Sequence, residues 1–269
     1  MSRLYIGTSG FSYDDWVGPV YPPDLPKSDW LNYYAEELGF NACELNFSFY
    51  RIPGARTLDQ LAQKVPGGFH FTLKATRIFT HDRNATDKDW DAFRRAVSPL
   101  QLEDKFGCVL IQFPYSFHNT PENQAYLRTF REHWSDLPLV VEFRNRKWIN
   151  EEVFDLLRQL DMGFCSVDQP RFHNLVPPVA VVTGSIGYVR FHGRNYKKWW
   201  THEEAWERYD YEYSEEELME WVPKIQHMQE QTQAVYLFAN NHYQGKAVKT
   251  AQMLKTLLGQ SPAEGGHPS

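Results

Sequence analysis

Residues 107 to 144 read "GCVLIQFPYSFHNTPENQAYLRTFREHWSDLPLVVEFR". The stretch begins and ends in short apolar runs, "GCVLIQF" (107–113) and "LVVEFR" (139–144), rich in the β-branched and aromatic residues that suit strands. Between them "NQAYLRTFREHW" repeats its apolar residues at helical spacing. Strand, helix, strand in this order is a crossover unit joining two parallel strands. The second strand carries Glu142 and Arg144 two positions apart, so both side chains leave the same side of the sheet.

The same alternation runs along the whole chain. Further strand-like runs are "LYIGTS" (4–9), "NACELNF" (41–47), "FHFTLKA" (69–75), "GFCSVD" (163–168), "GYVRFH" (187–192) and "AVYLFAN" (234–240). Helical segments are "DWLNYYAEEL", "ARTLDQLAQKV", "DWDAFRRAVSPL", "EEVFDLLRQL", "SEEELMEWVPKIQHMQ" and "GKAVKTAQMLKTLL". Ser28, Thr86, Asn150 and Ser214 stand where N-caps are expected. The sixth crossover, "QPRFHNLVPPVAVVTGS", is proline-rich and reads as loop. Eight strands alternating with helices predict an α/β fold of the TIM-like (β/α)8 type, a single domain over 1–259 with a polar, Gly/Pro-rich tail at 260–269. An open doubly wound sheet would place a glycine-rich turn after the first strand, and "GTSG" (7–10) is not GxGxxG.

Composition narrows the class. The chain has 269 residues, 42% of them hydrophobic, and a formal net charge of −6. Such a balance excludes global disorder and offers no broad attraction to nucleic acid or membrane. The 9 Trp, 15 Tyr and 18 Phe exceed what core filling needs, so some are expected to line a cleft. Cys43, Cys108 and Cys165 lie in apolar runs without a CxxC spacing and read as buried free thiols. The first residues show no apolar signal segment and no run is long enough for a membrane span, so a cytoplasmic protein is expected.

Period two sorts each strand into two sides. One side is apolar: Leu45, Phe71, Leu73, Val109, Ile111, Phe113, Val141, Phe143, Val167, Val189 and Phe191 are assigned to the helices. The other turns polar toward the C-terminal end: Thr8, Glu44, Asn46, Thr72, Lys74, Gln112, Glu142, Arg144, Ser166, Asp168, Arg190 and His192. Asn240 or Asn241 joins them from the last strand. These residues are assigned to the barrel lumen, at the mouth where barrel enzymes carry their sites. Paired lumen charges also have a purely structural role, because buried ions need partners.

The chemistry follows from these types. Glu44, Glu142 and Asp168 are candidate catalytic acids and bases. Lys74, Arg144 and Arg190 suit an anionic substrate, above all a phosphate, with Thr8, Asn46, Gln112, His192, Asn240 and Asn241 as further substrate contacts. Lys74 forms a Schiff base only if its pKa is depressed. With carboxylates nearby the opposite shift is expected, which suits a clamp. His192 is the only histidine at a lumen mouth position and no HxH or HExxH occurs, so no metal site and no cofactor are predicted; one Mg²⁺ on Glu44 or Asp168 is the remaining metal option. Three loops over the mouth are long. The first carries Phe11, Tyr13, Trp16 and Tyr21, the third Arg77, His81 and Asp82, the seventh Arg194, Lys197, Lys198, Trp199 and Trp200. Aromatics beside cations can stack bases or sugars. The eighth, "NNHYQGKA", runs into a helix start, a place where barrels hold phosphate.

The motifs "IGTSGFSYDDWVGPVYP", "ELNFSFYRIP", "FTLKATRIFTHD", "LIQFPYSF", "VVEFRNRKW", "YVRFHGRN" and "FANNHYQGKAVKTA" resemble, in order and from Ile6 to about Leu258, those of the YecE-like family (domain of unknown function 72). The resemblance implies a TIM-like barrel and places the family's polar mouth residues on the twelve candidate positions above, without supplying a reaction. Phe11, Phe47, Ser48, the pair Arg146–Lys147 and Ala239 depart from the usual pattern and alter loop contacts. The expected protein is an enzyme, a hydrolase or lyase, acting on an anionic, phosphate-bearing small molecule or nucleotide. The alternatives are a non-catalytic binder of single-stranded nucleic acid and a carbohydrate-active hydrolase.

Overall fold

The computed structural model describes residues 2–260. Eight strands, β1 (Arg3–Ser9), β2 (Ala42–Leu45), β3 (His70–Lys74), β4 (Phe106–Gln112), β5 (Leu139–Glu142), β6 (Met162–Asp168), β7 (Ile186–Phe191) and β8 (Ala234–Ala239), close in sequence order into a barrel. Every neighbouring pair is parallel, including the closing pair β1–β8. The expected TIM-like fold is therefore the observed one. The tail predicted from residue 260 lies, apart from Gln260, outside the described residues.

Helices α1 (Trp30–Glu36), α2 (Ala55–Ala62), α3 (Arg77–Thr80), α4 (Asp87–Ala96), α5 (Ser98–Leu102), α6 (Pro121–His133), α7 (Glu151–Gln159), α8 (Glu215–Met219), α9 (Val222–Gln231) and α10 (Lys246–Leu257) surround the barrel. Thr86, Asn150 and Ser214 cap α4, α7 and α8 as expected. Ser28 does not cap α1; it sits in a 3₁₀ turn, Lys27–Asp29, and Asp29 holds the cap position. The segment expected to form one helix from Ser214 is broken into α8 and α9. Pro223 lacks an N–H, and its ring clashes with the carbonyl four residues back, so the axis restarts at Val222. The sixth crossover has no helix between Gln169 and Ser185, in line with its composition.

Most of the aromatic load fills the layer between strands and helices. Phe79, Trp90, Phe93, Phe130 and Trp134 pack ring on ring beneath α4 and α6, with centroids 4.5–5.7 Å apart. Such contacts add about 0.5–1.5 kcal/mol each beyond the buried area. The three cysteines are buried and free. No helix among the described residues is long and apolar enough to cross a membrane.

Two glycines near the mouth have steric reasons. A Cβ on Gly7 would lie 1.8 Å from the Ala42 carbonyl oxygen, so β1 and β2 approach this closely only without a side chain. Gly10 has φ +89°, a left-handed conformation that turns the chain out of β1 into the first loop.

Candidate active site

An ion network crosses the lumen near its C-terminal end. Arg190 on β7 donates from Nη1 to Glu142 Oε2 on β5 at 2.7 Å, and from Nη2 to Glu44 Oε1 on β2 at 2.6 Å. Both carboxylates are fully buried, as is the guanidinium. Tyr188 donates to Glu44 Oε2 at 2.7 Å and lies 3.0 Å from Thr72 Oγ1. Arg144 Nη2 reaches Glu142 Oε1 at 2.9 Å. His192 completes the set: Asn240 Nδ2 donates to Nδ1 at 2.9 Å, which leaves Nε2–H to donate to Glu142 at 3.2 Å. Glu142 thus receives three N–H donors.

The titration shifts follow from these contacts. Burial alone would push Glu142 up, but Arg144, Arg190 and His192 outweigh it and hold the carboxyl well below its ordinary range. Burial would lower Arg190, and Glu44 with Glu142 keep it charged. His192 is pushed down to about 3, first by burial and then by Arg144, so its ring is neutral at neutral pH.

The structure brings together most of the expected residues and removes three. Glu44, Asn46, Lys74, Gln112, Glu142, Arg144, Arg190, His192 and Asn240 lie in the lumen network or line the cavity at its mouth. Thr8 does not. Its register partner Cys43 shares the outward side of the sheet, and Thr8 Oγ1 bonds Tyr34 Oη on α1 at 3.0 Å; Ser9 takes the lumen position instead, 3.4 Å from Arg190. Asp168 does not either. In β6 the lumen side carries Cys165, 3.9 Å from Glu142, and Val167, paired in register with Arg190. Ser166 and Asp168 therefore face the helices, and Val167, assigned to the helices, faces the lumen. Asp168 accepts from Arg194 twice (2.9 and 2.7 Å), from Tyr213 at 2.6 Å and from Trp221 at 2.7 Å. It fastens both ends of the seventh loop to α9. Asn241 also turns outward, donating to Tyr211 O and Thr250 Oγ1 at 2.9 Å each.

Above the network lies a cavity of about 550 Å³. Its walls include Phe11 and Tyr13 of the first loop, Phe49 and Tyr50 after β2, Tyr209 of the seventh loop and His242 of the eighth. These are the cleft aromatics expected from composition. Tyr13 and His242 stack at 4.7 Å with their planes 1° apart, and Trp16 donates from its indole to His242 O at 2.7 Å, which locks the first loop to the eighth. Asn46 Oδ1 and His242 Nδ1, both on cavity-lining residues, are buried without a hydrogen-bond partner among the described residues.

Lys74 departs most from expectation. Its ammonium has no ion pair and no hydrogen bond among the described residues; it sits 4.3 Å from the centroid of the Phe49 ring. Burial, then Arg190, lower its pKa to about 7, Arg144 adds to this, and Glu142 and Glu44 only partly oppose it. The expected rise does not occur, because both carboxylates are taken by guanidinium groups. His81, close to the same cations and edge-on to Phe49 at 4.9 Å, is pushed down to about 4, first by burial and then by Lys74.

The remaining loop signals are accounted for locally. Arg77 pairs with Asp82, and Lys198 with Glu207. Two residues before α10 the Gln244 N–H donates to Asp15 at 2.7 Å, so a carboxylate of the first loop stands beside the expected phosphate position. Glu44 and Asp168, the Mg²⁺ candidates, lie on opposite sides of the sheet with their oxygens engaged by Arg190 and Tyr188 and by Arg194, Tyr213 and Trp221. Among the described residues there is no group of three His, Cys, Asp or Glu side chains placed to hold a metal. Tyr188, Ser9 and Phe49 were missed from sequence; Tyr188 stands two positions before Arg190 and shares its parity.

Comparison with known proteins places this barrel in a family. The family model described as "Protein of unknown function DUF72" matches residues 5–268. The UPF0759 protein YunF of Bacillus subtilis (strain 168) is 31% identical over 271 residues, covering 95% of this chain and 94% of that protein. A DUF72 family protein of Thermotoga maritima MSB8 is 38% identical and superposes with a TM-score of 0.88, covering 96% of this chain and 99% of that one. A DUF72 family protein of Enterococcus faecalis V583 is 26% identical with a TM-score of 0.85, covering 100% and 99%.

Proposed function

The chain belongs to the DUF72 family, and we propose that it is an enzyme acting on a small anionic molecule at the C-terminal mouth of its barrel. The observation that carries this is the charge count of the lumen. Glu44 and Glu142 face three cationic side chains, Arg144, Arg190 and Lys74, so one positive charge has no partner when Lys74 is protonated. An anion in the cavity would supply the missing charge. Arg144 is only 14% exposed and is held by Glu142, so its guanidinium is pre-positioned for a carboxylate or phosphate.

In this reading the acid–base role passes from the carboxylates to Lys74. Glu44 and Glu142 are committed to Arg190, whereas an amine with a pKa of about 7 is half protonated at neutral pH and well matched to proton transfer. Phosphate esters and carboxylates both suit the cavity. A glycosidase would use one of a carboxylate pair as proton donor, a task poorly suited to Glu142 with its depressed pKa. Single-stranded nucleic acid would meet half-exposed Tyr196 and Trp200, but of the cations beside them Lys198 and Arg194 are already spent on Glu207 and Asp168, which leaves Lys197 to meet a phosphate.

The test is calorimetry with sulfate and oxalate, which stay fully ionised, in two buffers of different ionisation enthalpy at about pH 8. Binding is expected to take up a proton, because the incoming anion raises Lys74. Arg144→Ala is expected to weaken binding at least about tenfold. Lys74→Met is expected to abolish the proton uptake. No binding at low salt, or an unchanged affinity in Arg144→Ala, would sink the proposal.

A further inference from the structure

We infer that Lys74 is a nucleophile that captures the carbonyl group of an anionic aldehyde, ketone or oxo acid as an imine, while Arg144 holds the anionic end. This rests on the anion-binding reading above and names its substrate class. Four features of the site point to it. The Lys74 side chain leaves the C-terminal end of β3 into the cavity, where its amine is free of hydrogen bonds and ion pairs among the described residues. The Phe49 ring face lies 4.3 Å away; it attracts a cation weakly but neither accepts a conventional hydrogen bond nor supplies a counter-charge. Both carboxylates that could neutralise it are bound to Arg190, with Glu142 further bound to Arg144 and His192. The cavity, at about 550 Å³, fits a small molecule that spans Lys74 and Arg144.

A mere clamp would need none of this arrangement. A lysine that only binds anions works best fully charged, yet this one is buried beside two guanidinium groups that oppose its charge. The consequence is free amine at neutral pH, on the order of a thousandfold more than an ordinary lysine carries. Apolar surroundings and neighbouring cations are the general means of activating a lysine for Schiff-base chemistry.

The step balances without any further reagent. The Lys74 nitrogen lone pair forms a bond to the carbonyl carbon, and an N–H proton passes to the carbonyl oxygen through water in the open cavity. The resulting carbinolamine takes up one solvent proton on its hydroxyl and loses it as H₂O. The nitrogen lone pair forms the C=N bond of an iminium, which carries that positive charge and returns the proton to solvent when it becomes the neutral imine. Hydrolysis reverses the sequence. The iminium then draws electrons from the adjacent carbon, the entry to lyase chemistry, and no oxidant or metal enters.

The experiment is reductive trapping. The whole protein is incubated with glyoxylate, an anionic aldehyde, or acetaldehyde, a neutral one, with sodium cyanoborohydride at neutral pH, and modified lysines are located by peptide mass spectrometry. Lys74 is expected to react with glyoxylate at least about tenfold faster than exposed Lys88 and Lys197, part of the free-amine gain being offset by lower intrinsic nucleophilicity. Oxalate is expected to protect it. Arg144→Ala is expected to remove the preference for glyoxylate over acetaldehyde at Lys74 and to slow trapping of both, because Arg144 also helps to lower the Lys74 pKa. Lys74→Arg, with its circular dichroism unchanged, is expected to lose the fast-labelled site. Labelling of Lys74 no faster than that of Lys88 overturns the inference. If oxalate still binds through Arg144 in that case, the anion-binding reading stands and only the imine falls; if it does not, both fall.

Discussion

Replacing Lys74 with Met is predicted to stabilise the protein in a strongly pH-dependent way. Folded Lys74 titrates at about 7 against an ordinary 10.5. Between these values the unfolded chain binds a proton that the folded chain refuses, so stability rises with pH across that window. Below about pH 7 both states bind the proton and the penalty is constant. At about 1.36 kcal/mol per pH unit the ceiling is about 5 kcal/mol. The cavity is open to water, which relaxes part of this, so about 2–4 kcal/mol is expected at about pH 6. Met keeps the length of the side chain and its contact with Phe49 without the charge. The assay is urea unfolding of both proteins, with m-values compared to confirm equal exposure on unfolding. The advantage of the variant is expected to shrink to about 1.4 kcal/mol at about pH 9.5, one unit below the ordinary lysine value, and to vanish above about pH 11, where unfolded lysine sheds most of its charge. A variant less stable than the parent at pH 6, or an advantage that does not change with pH, would show that the ammonium is compensated. The free-amine argument would then collapse.

Arg190→Met leaves Glu44 and Glu142 buried without their shared cation, and urea unfolding should show a loss of about 3–5 kcal/mol. Asp168→Asn removes the charge that receives Arg194, Tyr213 and Trp221; faster amide exchange confined to about residues 193–213 is expected, with oxalate affinity within about twofold of the parent. Gly7→Ala forces a methyl against the Ala42 carbonyl and should cost about 3 kcal/mol, read as a lower midpoint in urea at unchanged m. The His192 ring should show no titration by NMR between about pH 5 and pH 8. Its folded pKa near 3 lies below the unfolded value, so its contribution to stability is present above about pH 6.5 and is lost as pH falls toward 3.

The barrel was legible because eight apolar runs alternate with helical periods. All eight observed strands fall within a few residues of "LYIGTS", "NACELNF" and their counterparts. Parity was legible where one side of a strand is clearly apolar, as in β4 and β5. It failed in β1 and β6 for one physical reason. A barrel strand is buried on both sides, so polarity alone does not tell lumen from helix layer. In β1 the neighbours Thr8 and Ser9 are both polar, and Tyr34 on α1 decides between them. In β6 all seven residues are buried, and the polar side faces Arg194, Tyr213 and Trp221, partners contributed by a loop and a helix far along the chain. The direction of the Lys74 shift was hidden for a related reason. Sequence counted carboxylates near the lysine, but only the geometry shows Arg190 bridging two of them at 2.6 and 2.7 Å.

The lumen is graded along its axis, and the grading bears on why the ions are there. At the bottom Tyr5 stacks on Tyr236 at 4.8 Å and on His70 at 4.1 Å, and the His70 ring lies within hydrogen-bond distance of both phenol oxygens. Above this come Thr72, Tyr188 and Phe238, then the Glu44–Arg190–Glu142 bridge, then Lys74 and Arg144 at the mouth. The lower layers fill the bottom of the barrel, and the bridge above them is buried. An apolar layer in its place would fill the barrel at least as stably, since buried ion pairs recover little beyond their desolvation. Stability therefore does not explain the bridge. Its effect is local: it consumes both carboxylates, aims Arg144 through Glu142, and leaves Lys74 against Arg190 and Arg144 with nothing to neutralise it. A layer that adds little stability while setting the state of one half-buried amine at the cavity is the arrangement expected of a binding or reacting site.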